Sequence, residues 1–237
     1  MTQNVILGIH QPNYIPWLGY FYKIYHSDIF VFHDDAKFSE SGAHNYHYIK
    51  TPQGQFRLKI PVDKAMGQRI MDIRTKDELG WKMKHIATIE HNYKRSPYFN
   101  SVFDDFCNLL VCSYKSLSEL NEALIKFIGS SFGFETEYYD SSCLKLLSTN
   151  EQKIFETCKA YGANVYFSGV GAKAYQDEEN FANAGIILRY SDFMPFKYRQ
   201  QWNDNFLENV SIIDYVMNCG YDWGRVLDSQ KKNKERF

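Results

Sequence analysis

The sequence predicts an α/β fold: a mainly parallel, Rossmann-like sheet with a β-hairpin excursion and a helical insert. Three observations lead there. A strand–helix–strand unit fills the first thirty residues, a second α/β stretch returns after residue 136, and between them lies a long run of helical periodicity. The 237 residues are 44% hydrophobic and 23% charged, ordinary values for a folded domain that leave disorder and fibrous repeats as poor fits.

Val5 to Ile9 is a short, partly β-branched run that stops at His10-Gln11-Pro12, which reads as a buried strand. Trp17, Leu18, Phe21, Ile24 and Tyr25 then recur at helical spacing, and Asp28 to Phe32 reads as a second strand ending at His33-Asp34-Asp35. Tyr46–Lys50 and Phe56–Pro61 flank Thr51-Pro52-Gln53-Gly54, whose proline and glycine suit a hairpin turn. The helical insert covers about 78–132: Glu78–Tyr93, Tyr98–Cys112, and a helix opened by the capping-box pattern Ser116-Leu117-Ser118-Glu119. Thr136–Tyr139 is read as a strand. Ser148-Thr149-Asn150-Glu151 is a second capping-box pattern, its helix closed by Gly162, and Asn164–Phe167 and Ile186–Tyr190 are the last two strands. Residues 1–225 are expected to form one domain, followed by a frayed polar tail over 226–237.

The net charge is −1, from 27 Lys and Arg against 28 Asp and Glu, so no global field draws the chain to nucleic acid or anionic lipid. No apolar run approaches the roughly 20 residues of a membrane span, and the first residues lack a signal-peptide pattern, so a cytoplasmic location is expected. The five cysteines (Cys107, Cys112, Cys143, Cys158, Cys219) lack CxxC spacing and are expected as buried free thiols. The 18 Tyr and 18 Phe are numerous, and tyrosine can both stack and line a polar pocket.

The strongest constellation is His10 to Phe21 (HQPNYIPWLGYF), between the first strand and first helix, where parallel sheets place ligands. Pro12 and Pro16 stiffen it and would hold His10, Gln11, Asn13 and Tyr14 toward a crevice. Gly19 would let a ligand approach the helix start, beside Tyr20. The alternative is that the prolines merely shape a loop and His10 makes a structural hydrogen bond.

That run, followed by SDIFVFHDD from Ser27, Ile49-Lys50-Thr51, LKIPV from Leu58, Trp81 with Lys84-His85, Tyr93 with Pro97-Tyr98-Phe99, YFSGVGAKAY from Tyr166 and Ser211-Ile212-Ile213-Asp214, resembles the WbqC-like family over about residues 5–220. The resemblance implies a role in bacterial O-antigen (lipopolysaccharide) or other surface-polysaccharide biosynthesis, in making or decorating a sugar precursor. The chain departs from the family's pattern where Asn45-Tyr46-His47 stands in place of an Asn-Arg pair, which bears on anion binding at Asn45 and Lys50. The first motif is also similar to nucleotidyltransferases of the HIGH-type superfamily, with Gly19-Tyr20 standing where that superfamily has Gly-His.

A second candidate is Ser168-Gly169-Val170-Gly171-Ala172-Lys173 with Tyr175. Glycines after a strand can present amides to phosphate, which Lys173 would neutralise; the competing reading is a tight turn with a solvated lysine. A third is the polar cluster of His33, Asp34, Asp35, His44, Asn45 and His47, suited to acid–base work. No metal is assigned, because a His44-x-x-His47 pair on a strand points to opposite faces.

The combined expectation is a pocket where the His10, Asp34 and Gly169 loops meet. In it His10 takes a proton, Asp34 or Asp35 orients its imidazole, and Lys173 with the glycine amides holds phosphate. The expected activity is acyl- or aminoacyl-type transfer to a nucleotide-activated or amino sugar. No cofactor is expected beyond an acyl or nucleotide donor, and the partner is a small-molecule sugar rather than nucleic acid. A non-catalytic module binding a glycan precursor or a partner enzyme, and a HIGH-type nucleotidyltransferase, stand beside it as alternatives.

Overall fold

The computed structural model describes residues 4–63, 67–202 and 204–234. In chain order its elements begin with β1 (Ile6–His10), α1 (Leu18–Tyr25), β2 (Ile29–Phe32) and the strand pair β3 (Tyr46–Thr51) and β4 (Gly54–Lys59). A small ribbon of β5 (Val62–Asp63) and β6 (Arg74–Thr75) leads to α2 (Trp81–Tyr93), α3 (Phe99–Val111) and α4 (Leu117–Ser131). Then follow β7 (Glu137–Asp140), α5 (Asn150–Ala160), β8 (Val165–Ser168), α6 (Glu178–Asn183), β9 (Ile187–Tyr190), α7 (Ile212–Cys219) and α8 (Trp223–Lys234).

The central sheet runs β7-β2-β1-β8-β9, and every pairing in it is parallel. Strands alternate their side chains between the faces: Phe30, Phe32 and Phe167 join the larger core under α1, α4 and α7, while Leu7, Val31 and Tyr166 join a smaller one under α5 and α6. The chain winds outward from β1 through β2 to β7, then crosses over to β8 and β9. The β1–β8 boundary is therefore the topological switch point, where ligands of such sheets bind.

Several expectations hold at residue level. Ser116 Oγ accepts the Glu119 N–H at 3.2 Å and so caps α4, although Glu119 reaches back to the Lys115 N–H rather than to that of Ser116. Gly162 ends α5 at φ +66°. Its N–H donates to the Lys159 carbonyl and that of Ala163 to Cys158, a Schellman pair that needs the left-handed residue.

Others are corrected. The Ser148 pattern is not a capping box: α5 begins at Asn150, and Ser148 Oγ donates to Glu156. Glu151 instead accepts from the Asp177 N–H and from Asn180 Nδ2, tying down the start of α6. α2 starts at Trp81, not Glu78, because Gly80 takes φ +64° and closes a short 3-10 turn. The expected frayed tail is helical through Lys234: Val226 and Gln230 are buried, and Gln230 both accepts from the Met194 N–H and donates to the Met194 carbonyl. Residues 235–237 lie outside the described ones. The cysteines are free, but Cys112 and Cys143 are exposed.

Residues 191–202 and 204–210 form an irregular strap, and the turn into α7 pins the proline loop. Ser211 Oγ donates to the Ile15 carbonyl at 2.8 Å, the Ile212 N–H donates to Pro16, and the Ser211 N–H donates to Tyr48 on β3. The loop after β1 is thus held by residues 196 positions away, which fixes the rim of the switch-point crevice.

Candidate functional site

A cleft of about 1040 Å³ opens at the carboxyl ends of β1 and β8. That is large enough for a nucleotide-sized ligand. β1 and its loop supply His10 and Gln11, α1 supplies Lys23, the β2 and β7 ends supply His33 and Ser141, and the start of α5 supplies Thr149 to Ile154. Ser168, Gly169, Gly171, Tyr175 and Gln176 close the far side. The three loops singled out in the sequence therefore share one crevice.

His10 Nδ1 lies 3.0 Å from the Gln11 carbonyl. A carbonyl only accepts, so Nδ1 carries the proton and Nε2 the lone pair. Burial, helped by the nearby Lys23 charge, lowers the imidazole to about 3, which leaves it neutral. The Tyr20 hydroxyl also donates to the Gln11 carbonyl, at 3.0 Å, and its ring meets His10 edge-on at 4.7 Å. The expected His10–aspartate pair is not formed. Asp34 Oδ1 accepts from the Ser142 N–H at 2.9 Å and lies 3.3 Å from Ser141 Oγ, stitching the β2 loop to the turn after β7.

Asp35 faces a different imidazole. Its Oδ1 lies 3.5 Å from His33 Nε2 and accepts from Ser141 Oγ, and its Oδ2 is salt-bridged to Lys153. Burial alone would raise the Asp35 carboxyl, but the bonds from Lys153 and Ser141 hold it below the usual carboxylate value. His33 is lowered by burial and then by Lys153, against the pull of Asp35.

The remaining candidates divide. Gln11, Ser168, Gly169, Gly171 and Tyr175 line the cleft; a Cβ at either glycine would meet nothing within 4 Å, and Tyr175 is 75% exposed. Lys173 does not line it. The 3-10 turn after Gly169 carries its Nζ to 5.7 Å from the centre of the Tyr190 ring. Tyr14 is a core residue paired with His85 Nδ1 at 2.9 Å, and Asn13 Oδ1 is buried without a partner, away from the cleft lining. Asn45 donates to the Ile60 carbonyl and borders a separate hollow of about 370 Å³. Lys50 Nζ donates to the Asn205 carbonyl at 2.6 Å and does not line the cleft.

Gly19 serves packing rather than ligand approach. A Cβ there would sit 2.3 Å from the nearest Trp17 ring carbon, and Trp17 packs edge-on against Phe193 at 5.4 Å. Gly19→Ala is expected to cost about 1–3 kcal/mol through overpacking, read as a lowered urea midpoint with unchanged slope. Tyr20 is buried with its hydroxyl committed to Gln11, so the position corresponding to the Gly-His pair offers no free donor to a phosphate.

Sequence reasoning missed Lys23, Ser141 and Lys153. Lys23 carried a signal: it is the only charged residue among the eight of α1, a helix buried nearly all round. Among the described residues no three His, Cys, Asp or Glu side chains gather as a metal site, and no helix is long and apolar enough to cross a membrane.

Residues 11–225 match the model of the WbqC-like protein family. The chain belongs to the WbqC-like family. An uncharacterised Mycobacterium tuberculosis protein, Rv1507c, is 31% identical to it over 218 residues, covering 90% of this chain and 94% of the relative. No solved structure matches it. The matched span of this WbqC-like protein takes in nearly all of the cleft's lining, from Gln11 to Gln176, with Ile9 and His10 just ahead of it.

Proposed function

We propose that the protein is a group-transfer enzyme of bacterial surface-polysaccharide biosynthesis that holds a nucleotide-activated or amino sugar in the β1–β8 cleft and passes an acyl- or aminoacyl-type group to its amine or hydroxyl. The observation that supports this is the position of the cleft. A nucleotide-sized crevice lies at the switch point of an all-parallel sheet, and a histidine faced by a carboxylate lies in its wall.

His33 takes the role first given to His10. It is neutral near pH 7, and Asp35 across from Nε2 stabilises the imidazolium formed when the ring removes a proton from the attacking group. His10, lowered to about 3, does not become an imidazolium in that range, and its Nε2 lone pair serves as a fixed acceptor that orients the sugar.

Thermal-shift titration checks the binding step: sugar nucleotides are expected to raise the melting temperature, since a ligand of the folded state stabilises it. Stabilisation by nucleoside triphosphates alone, with pyrophosphate release, would instead make the protein a nucleotidyltransferase. Once turnover is assayed, His33→Ala is expected to lower kcat about 10²–10⁴-fold with little change in KM. An unchanged kcat removes His33 from the chemistry.

A further inference from the structure

Lys23 is 5% exposed, yet it forms part of the cleft lining. Its Nζ donates to the Ile9 carbonyl at 2.6 Å and lies 5.7 Å from the centre of the Tyr166 ring. No carboxylate among the described residues pairs with it. The other charged groups of the lining are already engaged: Lys153 with Asp35, and Glu151 with the start of α6. The imidazoles of His10 and His33 are both shifted toward their neutral forms.

The lysine's place is built rather than incidental. A Cβ at Gly8 would fall 2.5 Å from Ser27 Oγ and 3.2 Å from the Phe30 ring, so β1 keeps a glycine where Ser27 comes close, with Lys23 Cε in ordinary contact at 3.5 Å. Ser27 Oγ in turn donates to the Lys23 backbone carbonyl.

A buried cation without a counter-ion costs several kcal/mol, and its presence calls for a compensating charge. From this geometry we infer that the cleft's ligand presents an oxyanion, a phosphate or a carboxylate, to the Lys23 ammonium at the β1–β8 switch point. This rests on the reading of the cleft as the ligand site and replaces Lys173 as the anchor. The first turn of α5, which borders the same space, adds the positive end of a helix. Burial lowers the empty Lys23 to about 7, and an oxyanion against Nζ raises it again, so binding above neutral pH takes up a proton.

The test is a thermal-shift titration of the full chain with pyrophosphate and, separately, malonate, each against chloride at equal ionic strength. Wild type, Lys23→Met, Lys23→Gln and Lys23→Arg are compared, with folding checked by circular dichroism. Wild type is expected to be stabilised by one of the two probes, which identifies the oxyanion as phosphate or carboxylate. Lys23→Met, or Lys23→Gln should the methionine variant not fold, is expected to lose that shift.

Lys23→Arg keeps the charge without titrating, so it carries only the probe's own pH dependence. Relative to it, wild-type affinity should fall by up to about tenfold per pH unit above 7. No shift in wild type with either probe, an equal shift in the methionine and glutamine variants, or identical pH dependence in wild type and Lys23→Arg overturns the assignment. A sugar-nucleotide shift that survives in Lys23→Met removes the anchor and leaves the cleft reading standing. A pyrophosphate shift without any sugar-nucleotide shift does the reverse.

Discussion

Asp214→Ala is expected to cost about 3–5 kcal/mol of stability, because it removes one partner from a buried, charged hydrogen-bond cluster and strands the others. Asp214 opens α7 and is fully buried; Oδ1 accepts from the Tyr93 hydroxyl at 2.9 Å and Oδ2 from the Tyr198 hydroxyl at 2.8 Å. Tyr93 Oη also accepts the Lys50 N–H at 3.1 Å. One carboxylate thus joins α2, β3, α7 and the strap at Tyr198, next to the turn that pins the proline loop. Urea denaturation measures the loss.

The same residue sets a pH dependence. Burial raises the Asp214 carboxyl to about 6, against the lowering bonds from Tyr198, Tyr93 and Gln200 and the Lys50 charge. The folded state therefore binds this proton more tightly than the unfolded chain, whose carboxyl has the ordinary value of 3.8. Its contribution is fully present below about pH 4 and lost as pH rises through 6, a fall of about 3 kcal/mol. Glu122, raised to about 7 chiefly by burial, adds a fall in the same direction, so the Asp214 share is read as the difference between wild type and Asp214→Asn. A pair of parallel stability curves between pH 4 and 6 would show that the carboxyl is not perturbed.

The sheet was legible because it rests on local pattern. Ile29 to Phe32 is a short apolar run between Asp28 and His33, readable from consecutive residues as a buried strand, and the fold sends Phe30 and Phe32 to one face and Ile29 and Val31 to the other. Gly162 was legible for the same reason, its left-handed role being local to one helix end. The site was readable only in outline, since its side chains are joined by long-range contacts. Ser148 and Glu151 satisfy the capping pattern, yet in the fold Glu151 gains two donors from the start of α6, and the local motif gives way. Lys173 follows a glycine pair and invited a phosphate role, but a short 3-10 turn sets it over Tyr190. Lys23 lies thirteen residues beyond His10 with no glycine motif beside it, and only the packing of α1 on β1 brings it to the crevice.

Asn121→Ala is expected to disturb the cleft from outside it. Asn121, buried on α4, donates through Nδ2 to the Pro12 carbonyl at 3.0 Å and to the His44 carbonyl at 2.7 Å. It is the clamp between the helical segment and the two stretches that lead into the crevice and the hairpin. Truncation leaves both carbonyls without this donor in the interior and opens a void, a loss of about 2–4 kcal/mol. Pro12 directly follows Gln11, whose carbonyl fixes the His10 tautomer and holds Tyr20, so a loop released at Pro12 lets that acceptor drift. Denaturation and sugar-nucleotide thermal shift should therefore change together, with binding weakened although Asn121 is absent from the cleft lining. Asn121→Asp is the harsher variant, since a carboxylate would face two carbonyl oxygens and must take up a proton to restore even one bond. If Asn121→Ala lowers stability by 2–4 kcal/mol yet leaves binding intact, the prolines and Ser211 alone hold the loop, and the helical segment is a support for the fold rather than for the site.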